Sequence, residues 1–194
     1  MAEDEKMYPI PSVTICRPHL RNLKIKGFWD KADLSLEFSE GINVIMAPCM
    51  SGKSRIYGAV QALYANKGIP SRISWDNGKI DGEFVGDASR KMMPIRSSAP
   101  DKTAWKNLGV GEIAMRFLEE AISGLAKDEL LVVDDFNEFL DNERTSTVLR
   151  SIRTAKCQAI LTTVQVGVPL TPGTKVFDLG PWNKPGNVTI KVIK

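Results

Sequence analysis

The sequence predicts an α/β domain with a mainly parallel core sheet, an antiparallel β layer and flanking helices. Three observations carry that expectation. "INVIM", "LLVVD" and "QAILTTV" are continuous apolar runs of strand length, the pattern of strands buried on both faces. Segments with helical apolar spacing alternate with these runs, as in parallel sheets. Ahead of the first run, "HLRNLKIKGFWDKADLSLEF" shows the period-2 alternation of two antiparallel strands joined by a turn.

Each element follows in order. Leu23 and Ile25 alternate with basic residues, and Leu34, Leu36 and Phe38 with polar ones. "SEGINVIMA" is a turn leading into a buried strand. "GKSRIYGAVQALYANKG" places Ile56, Val60, Leu63 and Tyr64 on one helical face, with Gly68 and Pro70 as its stop. "RISWDNGKIDGEFVGD" reads as a hairpin about an Asn-Gly turn. Asp87 to Asn107 holds two prolines and little periodicity, and reads as a loop or junction. "GEIAMRFLEEAISGLAK" is a helix whose broad apolar face includes Ile113, Met115, Phe117, Leu118, Ala121 and Ile122. A helix over "NERTSTVLRSIRTA" separates the second and third apolar strands. "TKVFDL" and "NVTIKVIK" complete the strands.

Composition bounds the function. The 194 residues are read as a single domain, 1–194. They are 43% apolar with no run near 18 residues, which excludes a transmembrane helix. The acidic, proline-broken start "MAEDEKMYPIP" is no signal peptide, so a cytoplasmic protein with no membrane partner is expected. The three cysteines, Cys16, Cys49 and Cys157, lack metal or disulfide spacing. His19 is the single histidine, which argues against histidine acid–base chemistry. A net charge of +3 is compatible with nucleic acid without pointing to it.

The chemistry concentrates after the first buried strand. "APCMSGKS" nearly fits the phosphate loop G-x-x-x-x-G-K-[ST], in which amides cradle phosphates, a lysine meets the terminal phosphates and a hydroxyl binds Mg²⁺. The candidate nucleotide-binding set is Ala47, Pro48, Cys49, Met50, Ser51, Gly52, Lys53, Ser54 and Arg55. Ala47 replaces the first glycine, which is tolerable where the backbone is extended. Pro48 removes one amide donor. "LLVVDD" supplies the complementary acids. Asp134 is placed to hold Mg²⁺ with Ser54, and Asp135 stands where such ATPases keep the carboxylate that activates water. Lys53 and Asp135 are the candidate catalytic residues.

At this point the chain resembles a family. "LKIKGFWDKADLSLEFSEGINVIMAPCMSGKS" is similar to the opening of the ABC-type P-loop NTPase heads of the SMC, Rad and RecF group. "LGVGE" falls where those heads carry the signature "LSGGE". "VVDDFNEFLD" has the spacing of "hhDEPxxxLD", and "QAILTTVQ" resembles the strand entering the switch region. The resemblance covers about residues 19 to 180. It implies ATP and Mg²⁺ as ligands, and a homodimer that closes around ATP. Gly109, Gly111 and Glu112 of the signature then face the partner's nucleotide, and Asp141 is the D-loop aspartate.

The departures from the family pattern also carry meaning. Gly109 stands for the signature serine and Val110 for a glycine. Val164 stands near the switch histidine, and no Q-loop glutamine is evident. Gln61 reads as a helix-surface residue. Trp29 reads as a half-buried sheet tryptophan, with adenine stacking as its alternative. The long coiled coil that divides SMC and Rad heads is absent, and 87–105 is where it is expected to be missing or excised. The resulting expectation is a slow, SMC-like ATPase in chromosome organisation or DNA repair, with DNA and an unidentified protein as further partners. The alternative is a degenerate, non-catalytic nucleotide-binding or scaffold head, with an actin-like cytoskeleton as its associated system.

Overall fold

The computed structural model describes residues 10–26, 33–65, 79–86, 89–93, 108–164, 167–180 and 189–193. The elements run β1 (Ser12–Arg17), β2 (Leu20–Lys26), β3 (Leu34–Glu37), β4 (Ile42–Met46), α1 (Lys53–Ala65), β5 (Lys79–Phe84) and β6 (Lys91–Met93). They continue with α2 (Val110–Ser123), β7 (Leu130–Asp134), α3 (Asn142–Ala155), β8 (Gln158–Thr163), β9 (Lys175–Asp178) and β10 (Thr189–Val192).

The described strands form a seven-stranded sheet, order β10-β9-β4-β8-β7-β1-β6, and a three-stranded sheet, order β3-β2-β5. The centre of the large sheet is parallel, with β4 paired to β8 and β9, and β7 to β8. Antiparallel strands flank it, β10 on β9 at one side and β1 and β6 at the other. The small sheet is antiparallel throughout. The expected class therefore holds.

Period-2 alternation divides the core. Ile45, Leu130, Val132, Ile160 and Phe177 face one way, into a cluster with Ile56 and Val60 of α1 and Leu23, Ile25 and Leu36 of the small sheet. Val44, Leu131, Val133, Ala159 and Leu161 face the other way, onto Ala114 and Leu118 of α2 and Val148, Leu149 and Ile152 of α3. Both faces of the central strands are buried, which is why they read as unbroken apolar runs.

Two buried amides fix how these layers meet. Asn43 is fully buried; its Nδ2 donates to the carbonyls of Ser39, Gly41 and Ala159, and its Oδ1 accepts from the Ser39 amide at 2.8 Å. This closes the turn that aims β4. Gln158 joins the sheets: its Nε2 donates to the carbonyls of Leu20 and Ser39, and its Oε1 accepts from the Leu20 amide. On β5, Gly82 gives α1 its clearance, since a Cβ there would lie 2.7 Å from Leu63 Cδ1.

Some expectations change. Ser12–Arg17, which shows no clear strand pattern, forms β1 inside the large sheet. The segment read as a loop contains β6 at Lys91–Met93. Gln61 is half-buried and engaged: its Nε2 donates to Thr14 Oγ1 at 2.7 Å and Tyr57 Oη at 3.1 Å, tying α1 to β1. Phe117 is only partly covered. The helix stop at Gly68 and Pro70, the Asn77-Gly78 turn with the first arm of its hairpin, and Trp29 lie outside the described residues. Among the described residues no helix is long and apolar enough to cross a membrane.

Candidate functional site

The loop after β4 is built by local geometry. The Ala47 amide donates to the Thr163 carbonyl at 3.2 Å, and the Ala47 side chain is buried in the core. Its backbone does not have positive φ, unlike Met50 at 59° and Gly52 at 101°. Alanine at the first glycine position is thus unstrained, and its methyl is packed. Gly52 needs the left-handed region that glycine reaches freely. Met50 enters that region at a cost, with its side chain fully exposed at the loop apex.

The loop wraps a lysine. Lys53, 5% exposed, donates from Nζ to the Pro48 carbonyl at 3.1 Å and lies 3.8 Å from Asp135 Oδ1. Burying an ammonium requires such partners. The Arg55 and Ile56 amides both reach the Gly52 carbonyl, so α1 begins there and its earlier amides have no intrahelical acceptor. Ser54 is exposed on that first turn, and Arg55 is half-buried. Pro48 and Cys49 are exposed too.

The acids come from the end of β7, with β8 lying between β4 and β7. Thr162 of β8 is fully buried; its Oγ1 donates to Asp134 Oδ1 at 2.6 Å and accepts from the Asp135 amide at 2.8 Å. Next to it, Thr163 Oγ1 donates to Asn137 Oδ1. Asp135 adopts φ 46°. Burial pushes its carboxyl above the usual range and Asp134 adds to the rise, against the opposing pull of Lys53. Two buried oxygens here, Ser51 Oγ and Asp135 Oδ1, accept or donate no hydrogen bond.

This donor set fits a phosphate ester with a divalent cation. The Lys53 ammonium and the amides of Lys53 and Ser54 at the start of α1 suit phosphate oxygens. Asp134 and the Ser54 hydroxyl are of the kind that hold Mg²⁺ alongside phosphate. Among the described residues no cluster of three His, Cys, Asp or Glu side chains exists, so a cation here would take water or phosphate oxygens as further ligands.

A second group gathers the signature and D-loop candidates. Gly109 caps α2, and its amide donates to Glu112 Oε2 at 3.0 Å. A Cβ on Gly111 would sit 2.8 Å from the Phe139 carbonyl, so close packing alone requires glycine there. Asp141 caps α3 by accepting from the Arg144 amide at 2.8 Å. That bond, with the Arg144 charge, holds the Asp141 carboxyl below its usual range. Its contribution is therefore present above the unfolded carboxylate pKa of about 4 and lost as pH falls through the lower folded value. Asp141→Ala should lower the thermal midpoint at pH 7, and the deficit should shrink on acidification toward pH 3, as read by paired thermal melts.

In the basic stretch "RPHLRNLKIK", Arg17 pairs with Asp128 and Lys24 lies 3.9 Å from Glu83, leaving Arg21 and Lys26 exposed. Thr162, Asn137 and the Thr14–Tyr57–Gln61 cluster were not marked by the sequence. A Thr-Thr pair closing an apolar strand beside an acidic strand end is the signal that could have found the first.

No protein-family model matches the chain, and no curated protein matches it. Solved structures do. An SMC head, described as "SmcHead bound to the C-winged helix domain of ScpA", is similar with a TM-score of 0.64 at 12% identity, covering 90% of this chain and 98% of that one. The SMC head domain from Thermotoga maritima gives 0.50 at 12% identity over 91% and 99%. The "recombination mediator protein RecF-ATPrS in RecFOR pathway" gives 0.50 at 10% identity over 95% and 100%. The chain has the fold of SMC heads and RecF, the α/β fold of P-loop ATPase heads.

Proposed function

We propose that this chain is an SMC-like head that binds ATP and Mg²⁺ at the Lys53 loop, pairs with a second copy around the nucleotide, and hydrolyses it slowly. The observation that supports this most is the approach of Lys53 Nζ to Asp135 Oδ1 at 3.8 Å. It unites the loop lysine with the candidate water-activating carboxylate across the strand order β4-β8-β7. In this reading Lys53 and the loop amides hold phosphate, Ser54 and Asp134 hold Mg²⁺, and Asp135 orients water. Pairing is supported by exposed apolar side chains at both surfaces that would meet, Met50 on the loop and Val110 at the start of α2. Gly109, Gly111, Glu112 and Asp141 complete the partner's site. Residues 87–105 are where the coiled coil of SMC and Rad heads is missing.

The process is chromosome organisation or DNA repair, as the resemblance in sequence motifs implies. A protein partner belongs to the proposal, since one similar head was solved with a ScpA winged-helix domain. DNA contact rests on Arg21 and Lys26 alone. One observation favours a weaker, non-catalytic head: the loop lacks three cradle donors, because the Ala47 and Ser51 amides are engaged with the Thr163 and Pro48 carbonyls and Pro48 has none.

Solution mass with and without Mg²⁺-ATP decides between them. A nucleotide-dependent dimer, longer-lived in Asp135→Ala, is expected. A mass indifferent to nucleotide, with no ATP heat by calorimetry, leaves only a scaffold.

A further inference from the structure

We infer that Thr162 is the positioning residue of the acidic pair, its hydroxyl fixing which oxygen of Asp134 is offered to a divalent cation. The inference rests on the nucleotide reading above and adds to it a residue to which the sequence motifs assign no role.

The hydrogen-bond direction is forced. A backbone amide can only donate, so the Asp135 amide, 2.8 Å away, takes a lone pair of Thr162 Oγ1. The single hydroxyl proton is then left for Asp134 Oδ1, at 2.6 Å. A hydroxyl and a carboxyl oxygen this close make a strong hydrogen bond. The Thr162 carbonyl also accepts from the Phe136 amide at 3.1 Å. One fully buried residue therefore holds three consecutive residues, 134 to 136.

Its place in the ladder explains why. The β7–β8 pairing ends at Val133 opposite Leu161, one residue short of Asp134 and Thr162. Beyond that point the side chain takes over from the backbone ladder. The chain there turns through φ 46° at Asp135, a conformation that a non-glycine residue keeps only when its surroundings hold it. With Oδ1 of Asp134 engaged, Oδ2 is the oxygen left for a metal.

Thr162→Val keeps the shape and removes the hydroxyl, whereas Thr162→Ser keeps the hydroxyl and removes a methyl. Two readouts separate the roles. In nucleotide-free protein, hydrogen exchange at the Asp135 amide should speed up at least about tenfold in Thr162→Val and stay near wild type in Thr162→Ser. ATP affinity should lose about tenfold of its Mg²⁺-dependent part in Thr162→Val while staying within about twofold of wild type in EDTA, and Thr162→Ser should restore the Mg²⁺ effect. Unchanged Mg²⁺ dependence in Thr162→Val overturns the inference while the nucleotide reading stands. Equal losses in both variants overturn it as well, since packing then explains them. Wild-type protein that binds no ATP in either condition removes the nucleotide reading and this inference together.

Discussion

Lys53→Ala should weaken ATP binding by about a hundredfold or more, close to 3 kcal/mol, the scale of one or two charge-assisted hydrogen bonds in a partly buried site. The ammonium is 5% exposed and held by the Pro48 carbonyl, so it is pre-placed and needs little ordering when phosphate arrives. Its loss also leaves Asp135 beside Asp134 without the cation that offsets their repulsion. The site then presents net negative charge to an anionic ligand. Lys53→Arg should not rescue, because a planar guanidinium is larger and cannot take the compact place of an ammonium at 3.1 Å from a carbonyl inside a loop. Titration calorimetry with Mg²⁺-ATP reads the effect, and circular dichroism checks that the variants remain folded. Affinity within about fivefold of wild type would place the phosphates elsewhere and dismiss the Lys53 loop as the site.

Gln158→Leu should be the most damaging change away from that site, at about 3–5 kcal/mol of stability. The glutamine is 1% exposed and makes three hydrogen bonds, two to Leu20 of the small sheet and one to Ser39 in the turn before β4. Leucine fills a similar volume but leaves the Leu20 amide and the Leu20 carbonyl without these partners, while the Ser39 carbonyl keeps Asn43 Nδ2. Each such buried group costs about 1–3 kcal/mol, softened where water or a small shift restores a partner. In a chain of this length the thermal midpoint should fall by about 10 °C, and denaturant melts should shift with little change in slope. A fall under about 2 °C would mean that apolar packing, not this amide, holds the sheets together.

What could be read in the sequence follows from how local each signal is. β4, β7 and β8 were legible because strands buried on both faces need unbroken apolar runs. α2 and α3 were legible because one face of each is covered and the other wet. β1 was not: "SVTICR" mixes hydroxyl, charged and apolar residues, and it is a strand because β7 and β6 lie on either side of it. β6 is three residues long and carries no period at all. Lys53, Asp134 and Asp135 stood out through motif spacing. Thr162 did not, because a threonine ending a strand looks like any β-branched strand former until the acid opposite it is known. Gln61 was misread for the same reason, since its partner Thr14 sits on the unseen strand. Gly111 was marked for a ligand, and the structure gives it a steric reason as well, the nearby Phe139 carbonyl.

The strand order has a consequence for how this molecule comes into being. β1 and β4 belong to the first half of the chain, yet β1 lies against β7, and β4 lies between β8 and β9. When a ribosome has released residue 93, β4 still lacks both of its neighbours, and the loop it carries has no frame. The large-sheet strands of the nascent first half wait for partners not yet synthesised, so closure depends on long-range pairing and is slow on contact-order grounds. The same interleaving makes the two halves obligate complements. A chain cut between β6 and α2 separates β1 and β4 from β7, β8 and β9, so the complete seven-stranded sheet forms only when the two fragments meet.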